Sequence, residues 1–297
     1  QIIYIHAAAN IKVFSQSTLK IFNSQFNFYF NNNEENNNLM NNIIVEVYND
    51  SSIIIKNSVF RKEGCVALFV RNNSMCYCDS CIFEECSGLV LSKDSYAYMK
   101  NCVFRNNRGR SMSVLGNSRI ILENCIFENC SVDNRLINVE GNSIIEMVNC
   151  NIKECRHGLF INSSKLLCSG CNMSDITNSC IILRNNSIVE LNNCNIKDIR
   201  GNGIFCENSS GVISHCTFNK TGHPSLLVRG LYSNPLVDNC KFYNEDVNCV
   251  STKLCSRVLF KDCYFECGGI YSIIASDLAM PALINCSFTS KNKNILI

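Results

Sequence analysis

The side chains here reactive enough to act as metal ligands, nucleophiles or acid–base groups are 22 Cys, four His and a thin scatter of carboxylates in 297 residues. Thiolates at short spacing hold zinc, and CYCDSC (Cys76–Cys81) has such a spacing. Clustered carboxylates would serve as general acid and base on a glycosidic bond. The Asp residues do not cluster along the chain: Asp50, Asp79, Asp94, Asp133, Asp175, Asp198, Asp238, Asp246, Asp262 and Asp277 are well separated. RHG (Arg156–Gly158) and GHP (Gly222–Pro224) set His beside Gly, far from each other. No catalytic set is assembled, so the chain reads as non-enzymatic, with no cofactor.

A repeat positions all of these residues. Aligned on Ser, its units start at Ser17, Ser51, Ser74, Ser95, Ser118, Ser143, Ser164, Ser187, Ser209, Ser233 and Ser256, with Ala279 in the twelfth. From Ser51 the spacing stays between 21 and 25 residues. Seven residues after each start stand Ser24, Ser58 and then ten Cys in succession, from Cys81 to Cys286. Two further on the column reads Phe26, Phe60, Phe83, Phe104, Phe127, Ile152, Met173, Ile196, Phe218, Phe242, Phe265 and Phe288.

Within a unit the apolar residues alternate, as in Ile120, Leu122, Cys125, Phe127, Ile137 and Val139. Period two means strands. The phase slips between Leu122 and Cys125, which demands a bend. Asn occupies that position in Asn23, Asn57, Asn101, Asn124, Asn149, Asn193, Asn239 and Asn285, as suits a residue that tolerates the left-handed backbone region. A third strand, such as GLFIN or GIFCEN, often opens on Gly. The reading is an all-β chain: a single right-handed parallel β-helix, or solenoid, of about 12 rungs of 21–25 residues with three short strands per rung. A leucine-rich repeat has a similar period but lacks three alternating segments. One domain is expected over 1–297, with an Asn-rich inserted loop at 31–42, and both ends read as cut from a longer chain.

The Asn bend column, the Phe column and the period resemble the right-handed β-helices of the pectate-lyase-like superfamily, over roughly Ser17 to Ile297. NCIFENC (Asn124–Cys130) and YFECGGIYS (Tyr264–Ser272) also look like repeats of some surface adhesins, and GNGIF (Gly201–Phe205) like β-helix modules of F-box and cytokinesis-associated proteins. The superfamily resemblance implies relatives that cleave acidic polysaccharides, some with calcium held by carboxylates. Their Asn-Thr-Asp, Asp-Asp and Gly-His-Gly motifs are absent from this sequence.

The Cys column, one residue per rung pointing inward beside Phe, reads as small core hydrophobes and not as metal ligands. Stacked in-register Cys also offer poor disulfide geometry. These readings point to a reducing, cytoplasmic compartment in preference to the cell exterior. Sequons at Asn49, Asn72, Asn162, Asn208 and Asn219 follow from Asn/Ser-rich turns. Lys+Arg 27 against Asp+Glu 25 gives a net charge of +2, which makes no case for nucleic acid. Apolar runs are too short to span a bilayer.

The informative surface is the outward side of the first strand of each rung. Ile54, Tyr77, Tyr98, Ile121, Leu167, Val212, Leu236 and Leu259 form an apolar stripe there, interrupted by Glu146 and Glu190. Val59, Ile82, Val103 and Ile126 extend it onto the next strand. Such patches mark interfaces. A protein partner or self-association along this stripe is the expected role, with carbohydrate as the alternative ligand. The charged positions Arg61, Glu84, Glu85, Arg105, Glu128, Lys153 and Lys197 read as solvated turn.

Overall fold

A computed structural model describes residues 11–27, 43–130, 135–290 and 293–296. The Asn-rich segment 31–42 and Asp133 lie outside these. Among the described residues there are 37 strands and no helix. The strands form three sheets with parallel pairing, three strands to a turn, in the expected all-β solenoid class. We name the sheets first, second and third in the order a rung enters them from its Ser. The chain divides into two compact units, Gln1–Ile145 and Glu146–Ile297.

In the first unit, the first sheet stacks Thr18–Phe22, Ser52–Lys56, Met75–Asp79, Tyr96–Lys100 and Arg119–Glu123. Like positions pair: Ile54 with Tyr77, Tyr77 with Tyr98, Tyr98 with Ile121. Inward residues are sealed, with Ile120, Leu122, Cys125, Phe127, Ile137 and Val139 all at 0% exposure. The Phe column is a continuous stack. Its ring centroids are 4.7 Å apart from Phe26 to Phe60, 5.2 Å to Phe83, 4.8 Å to Phe104 and 4.7 Å to Phe127.

In the second unit the first sheet stacks Lys165–Ser169, Ile188–Asn192, Ser210–Ser214, Leu236–Asp238, Leu259–Lys261 and Ala282–Ile284. Ile152, Met173 and Ile196 replace the rings in the core column, and stacking resumes through Phe218, Phe242, Phe265 and Phe288 at 4.8–5.0 Å.

The bend has one conformation throughout. Asn57 (φ 49°), Asn101 (φ 52°), Asn193 (φ 53°) and Asn239 (φ 50°) are left-handed, as are Ser80, Gly170, His215 and Asp262 where Asn is missing. Asn side chains also bond along the stack, Asn57 Nδ2 donating to Asn23 Oδ1 at 3.2 Å. The repeated Ser has a comparable reason. The amide of Ser95 donates to Ser118 Oγ at 3.2 Å, and that of Ser118 to Ser143 Oγ at 3.2 Å, so buried backbone donors are satisfied by the next rung.

The Cys column has the same logic. Cys102 Sγ donates to Lys100 O at 3.3 Å, and Ser58 Oγ to Lys56 O at 2.9 Å in the same column. Hydroxyl and thiol are interchangeable there because both cap the carbonyl two residues back. One bridge is present among the described residues, Cys249–Cys267, with Cα atoms 6.0 Å apart. It lies outside the column, joining the entry of one third-sheet strand to the exit of the following rung's second-sheet strand. The other 20 Cys are free.

Candidate interaction face

Every stripe residue singled out in the sequence points outward. In the first unit Ile54, Tyr77, Tyr98 and Ile121 are half-buried, between fully enclosed inward neighbours. The Tyr77 and Tyr98 rings lie 5.6 Å apart at 46°. Two further rows flank them. On one side run Ser52, Met75, Tyr96 and Arg119; on the other Lys56, Asp79, Lys100 and Glu123, whose charges alternate. Lys56 Nζ sits 5.5 Å over the Tyr77 ring. Lys100 Nζ meets Glu123 Oε1 at 2.8 Å, and the Tyr98 hydroxyl donates to the same carboxylate. The Lys100 bond, with that from Tyr98, holds the Glu123 carboxyl below the usual carboxylate range, and the carboxylate raises the Tyr98 phenol. The second-sheet residues Val59, Ile82, Val103 and Ile126 also face outward in register, half-buried.

In the second unit Leu167, Glu190, Val212, Leu236 and Leu259 form the corresponding row. Val212 and Leu259 are 38% and 36% exposed. Glu190 is neutralised by Lys165, Nζ to Oε1 2.6 Å. An open depression of about 610 Å³ runs along this row, lined among others by Leu167, Glu190, Val212, Ser214 and His215.

Three features escaped the sequence reading. The outward side of the third sheet in the second unit carries its own apolar row, Phe160, Ile182, Phe205 and Leu227. It is roofed by the chain itself: Arg229 lies 4.9 Å over the Phe205 ring, Arg184 lies 5.7 Å over it, and both pair with Glu207. Second, Asp175 and Asp198 fall at one position of adjacent rungs, both left-handed, and line a depression of about 500 Å³ with Arg200, Lys220, Glu245 and Asp246. A fixed offset of 11 residues from Ser164 and Ser187 was the available signal. Third, Glu84 is not a solvated turn residue. It is 9% exposed and bonded by Arg105 at 3.1 Å and Asn106 at 3.3 Å.

Cys76, Cys78 and Cys81 occupy inward, buried positions. Among the described residues no group of three or more His, Cys, Asp and Glu is placed to hold a metal ion. Burial pushes the Cys206 and Cys263 thiols up to about 12. His157 of RHG meets Asn178 at 3.3 Å, at a turn. No helix among the described residues is long and apolar enough to cross a membrane.

Three parallel sheets, a left-handed backbone bend in each rung and inward ladders of Cys and Phe define a parallel β-helix. The chain belongs to the right-handed β-helix family, whose pattern matches residues 43–168 and 157–297. Among solved structures it is similar to the periplasmic alginate epimerase AlgG, with TM-score 0.66 and 9% identity over 100% of this chain and 77% of that one. It is also similar to PfbA, a surface adhesin of Streptococcus pneumoniae, with TM-score 0.56 and 8% identity over 99% and 85%. At such identities the likeness is one of fold. Among curated proteins no sequence matches.

Proposed function

We propose that this chain is a non-catalytic, protein-binding scaffold that takes its partner on the outward face of the first sheet. The carrying observation is the unbroken register of Ile54, Tyr77, Tyr98 and Ile121 on a face where side chains contribute nothing to the core. A sheet face left to water carries polar residues; this one presents two phenols and two isoleucines in line. Tyr in particular supplies a large contact area and a polar tip. The third-sheet row is the weaker candidate, since Arg184 and Arg229 already cover its rings. The test is capture of partners by the immobilised chain against Tyr98→Ser/Ile121→Ser. The double variant should fold as the parent and lose the captured partner. Unchanged capture would remove this face from consideration.

A second reading is polysaccharide binding, favoured by the carboxylate-lined and cation-lined depression at Asp175, Asp198, Arg200 and Lys220. The fold is shared with an alginate epimerase. On the scaffold reading, alginate or polygalacturonate incubated with the chain, with and without calcium, releases no unsaturated or reducing ends and keeps its uronate composition. Turnover that disappears in Asp175→Asn would replace the scaffold with an enzyme.

A further inference from the structure

The outward face of the first unit has a symmetry that identifies a partner. Its three rows run across the rungs as Ser52, Met75, Tyr96, Arg119; then Ile54, Tyr77, Tyr98, Ile121; then Lys56, Asp79, Lys100, Glu123. Read in reverse, the middle row is unchanged in kind: Ile, Tyr, Tyr, Ile. The charged row reverses sign at every position, from + − + − to − + − +. A row with these two properties is complementary to its own reversal.

We propose that this face pairs with the same face of a second copy of the chain, related by a two-fold axis parallel to the strands and passing between the rungs of Tyr77 and Tyr98. This deepens the scaffold reading and rests on it. Rotation about such an axis keeps strand direction and reverses rung order, so each row lies against itself. Tyr77 then meets the second copy's Tyr98, and Ile54 meets its Ile121. Lys56 meets Glu123, and Asp79 meets Lys100, each contact occurring twice, as in any isologous interface. An axis along the coil is the alternative. It would lay the charged row against Ser52, Met75, Tyr96 and Arg119, with no charge match beyond Glu123 against Arg119. The first axis brings opposite charges together at four contacts, whereas the second leaves Lys56, Asp79 and Lys100 against uncharged side chains, so electrostatic complementarity selects the first.

The patch is small. Four rungs at about 4.8 Å and strands of five residues at about 3.3 Å give roughly 300 Å² on each side, below the ~800 Å² per partner of a standard stable complex. The dimer is therefore weak and concentration-dependent. Equilibrium sedimentation of the full chain should show a monomer–dimer equilibrium that weakens with salt, since the flanking pairs are solvent-accessible.

The decisive experiment uses two single charge reversals. Lys56→Glu sets Glu against Glu123 of its copy, and Glu123→Lys sets Lys against Lys56. Each alone should lower self-association by about tenfold or more; Lys56→Glu should leave the melting curve close to the parent's, while Glu123→Lys also gives up its own chain's bonds to Lys100 and Tyr98 and should melt slightly earlier. Mixed one to one, the two variants should recover dimer at close to the parental level, because Glu at 56 then faces Lys at 123 and the untouched pair remains. Dimers that survive both single changes, or a mixture that stays monomeric, would overturn the proposed axis. A parent chain that is monomeric at every concentration would overturn self-pairing, and leave the scaffold reading to stand or fall on partner capture by Tyr98→Ser/Ile121→Ser.

Discussion

At the scale of single residues, the Cys column is explained by one hydrogen bond and one burial. Cys125 Sγ lies 3.5 Å from Glu123 O and 3.4 Å from Met99 O, its single S–H shared between the two carbonyls, with no exposed surface. Ser24 and Ser58 make the equivalent bond from a hydroxyl at 3.0 and 2.9 Å. Cys102→Ser should therefore cost no more than about 1 kcal/mol, since the donor is kept, whereas Phe104→Ala should cost ~3–5 kcal/mol through the cavity it leaves. Urea titration of both variants tests the difference; equal losses would mean that the thiol is held by packing alone. The thiols should also be inert. Of the 20 free Cys only Cys255 and Cys286 are other than buried. Maleimide should label those two quickly in the native chain, and 20 in the denatured, unreduced chain if the Cys249–Cys267 bridge is formed in solution. Labelling of all 22 without reductant would show that bridge to be open.

At the scale of strands and bends, position within the repeat decides cost. Leu122 and Phe127 are sealed in the core while Tyr98 and Ile121 stand outside it. Leu122→Ala should lose ~2–5 kcal/mol by cavity formation, and Tyr98→Ser roughly 0.5 kcal/mol as a surface change. A comparable loss from both would place Tyr98 in the core and refute the strand phase. The bend gives a second contrast. Asn124 holds φ at 53°, where a Cβ clashes with the following carbonyl and costs about 1–2 kcal/mol. Asn124→Gly should be tolerated and Asn124→Val should not, as chemical denaturation will show. These elements were legible in the sequence because a strand's two faces alternate and each bend slips the phase. The roofing of Phe205 by Arg184 and Arg229 was not, because it depends on which way long side chains fold over a neighbouring rung. The enclosure of Glu84 by Arg105 and Asn106 belongs to the same kind. The pairing of Asp175 with Asp198 was legible in principle, but only by comparing turn positions between rungs and not within one.

At the scale of the molecule, a net charge of +2 and small, dispersed ion pairs leave no dominant field, so the scaffold proposed here would recognise a partner through local patterning along the rungs. Repeats of this kind present long regular surfaces whose neighbours contact only one another, and substitutions on the outward face leave the core columns intact. The eight stripe residues were found from the sequence by their offset from the repeated Ser. The charge reversal beside them became visible only when Lys56, Asp79, Lys100 and Glu123 were placed in one line. The most direct measurement of the central claim is surface labelling of tyrosine, read residue by residue with the chain free and in its associated state. Tyr232 is 69% exposed and stands one residue before Ser233, outside the rungs of Ile54, Tyr77, Tyr98 and Ile121, which makes it the internal reference. The account predicts that Tyr77 and Tyr98 label in the free chain and become protected on association, while Tyr232 reacts equally in both. Equal labelling of Tyr77 and Tyr98 in the two states would contradict it.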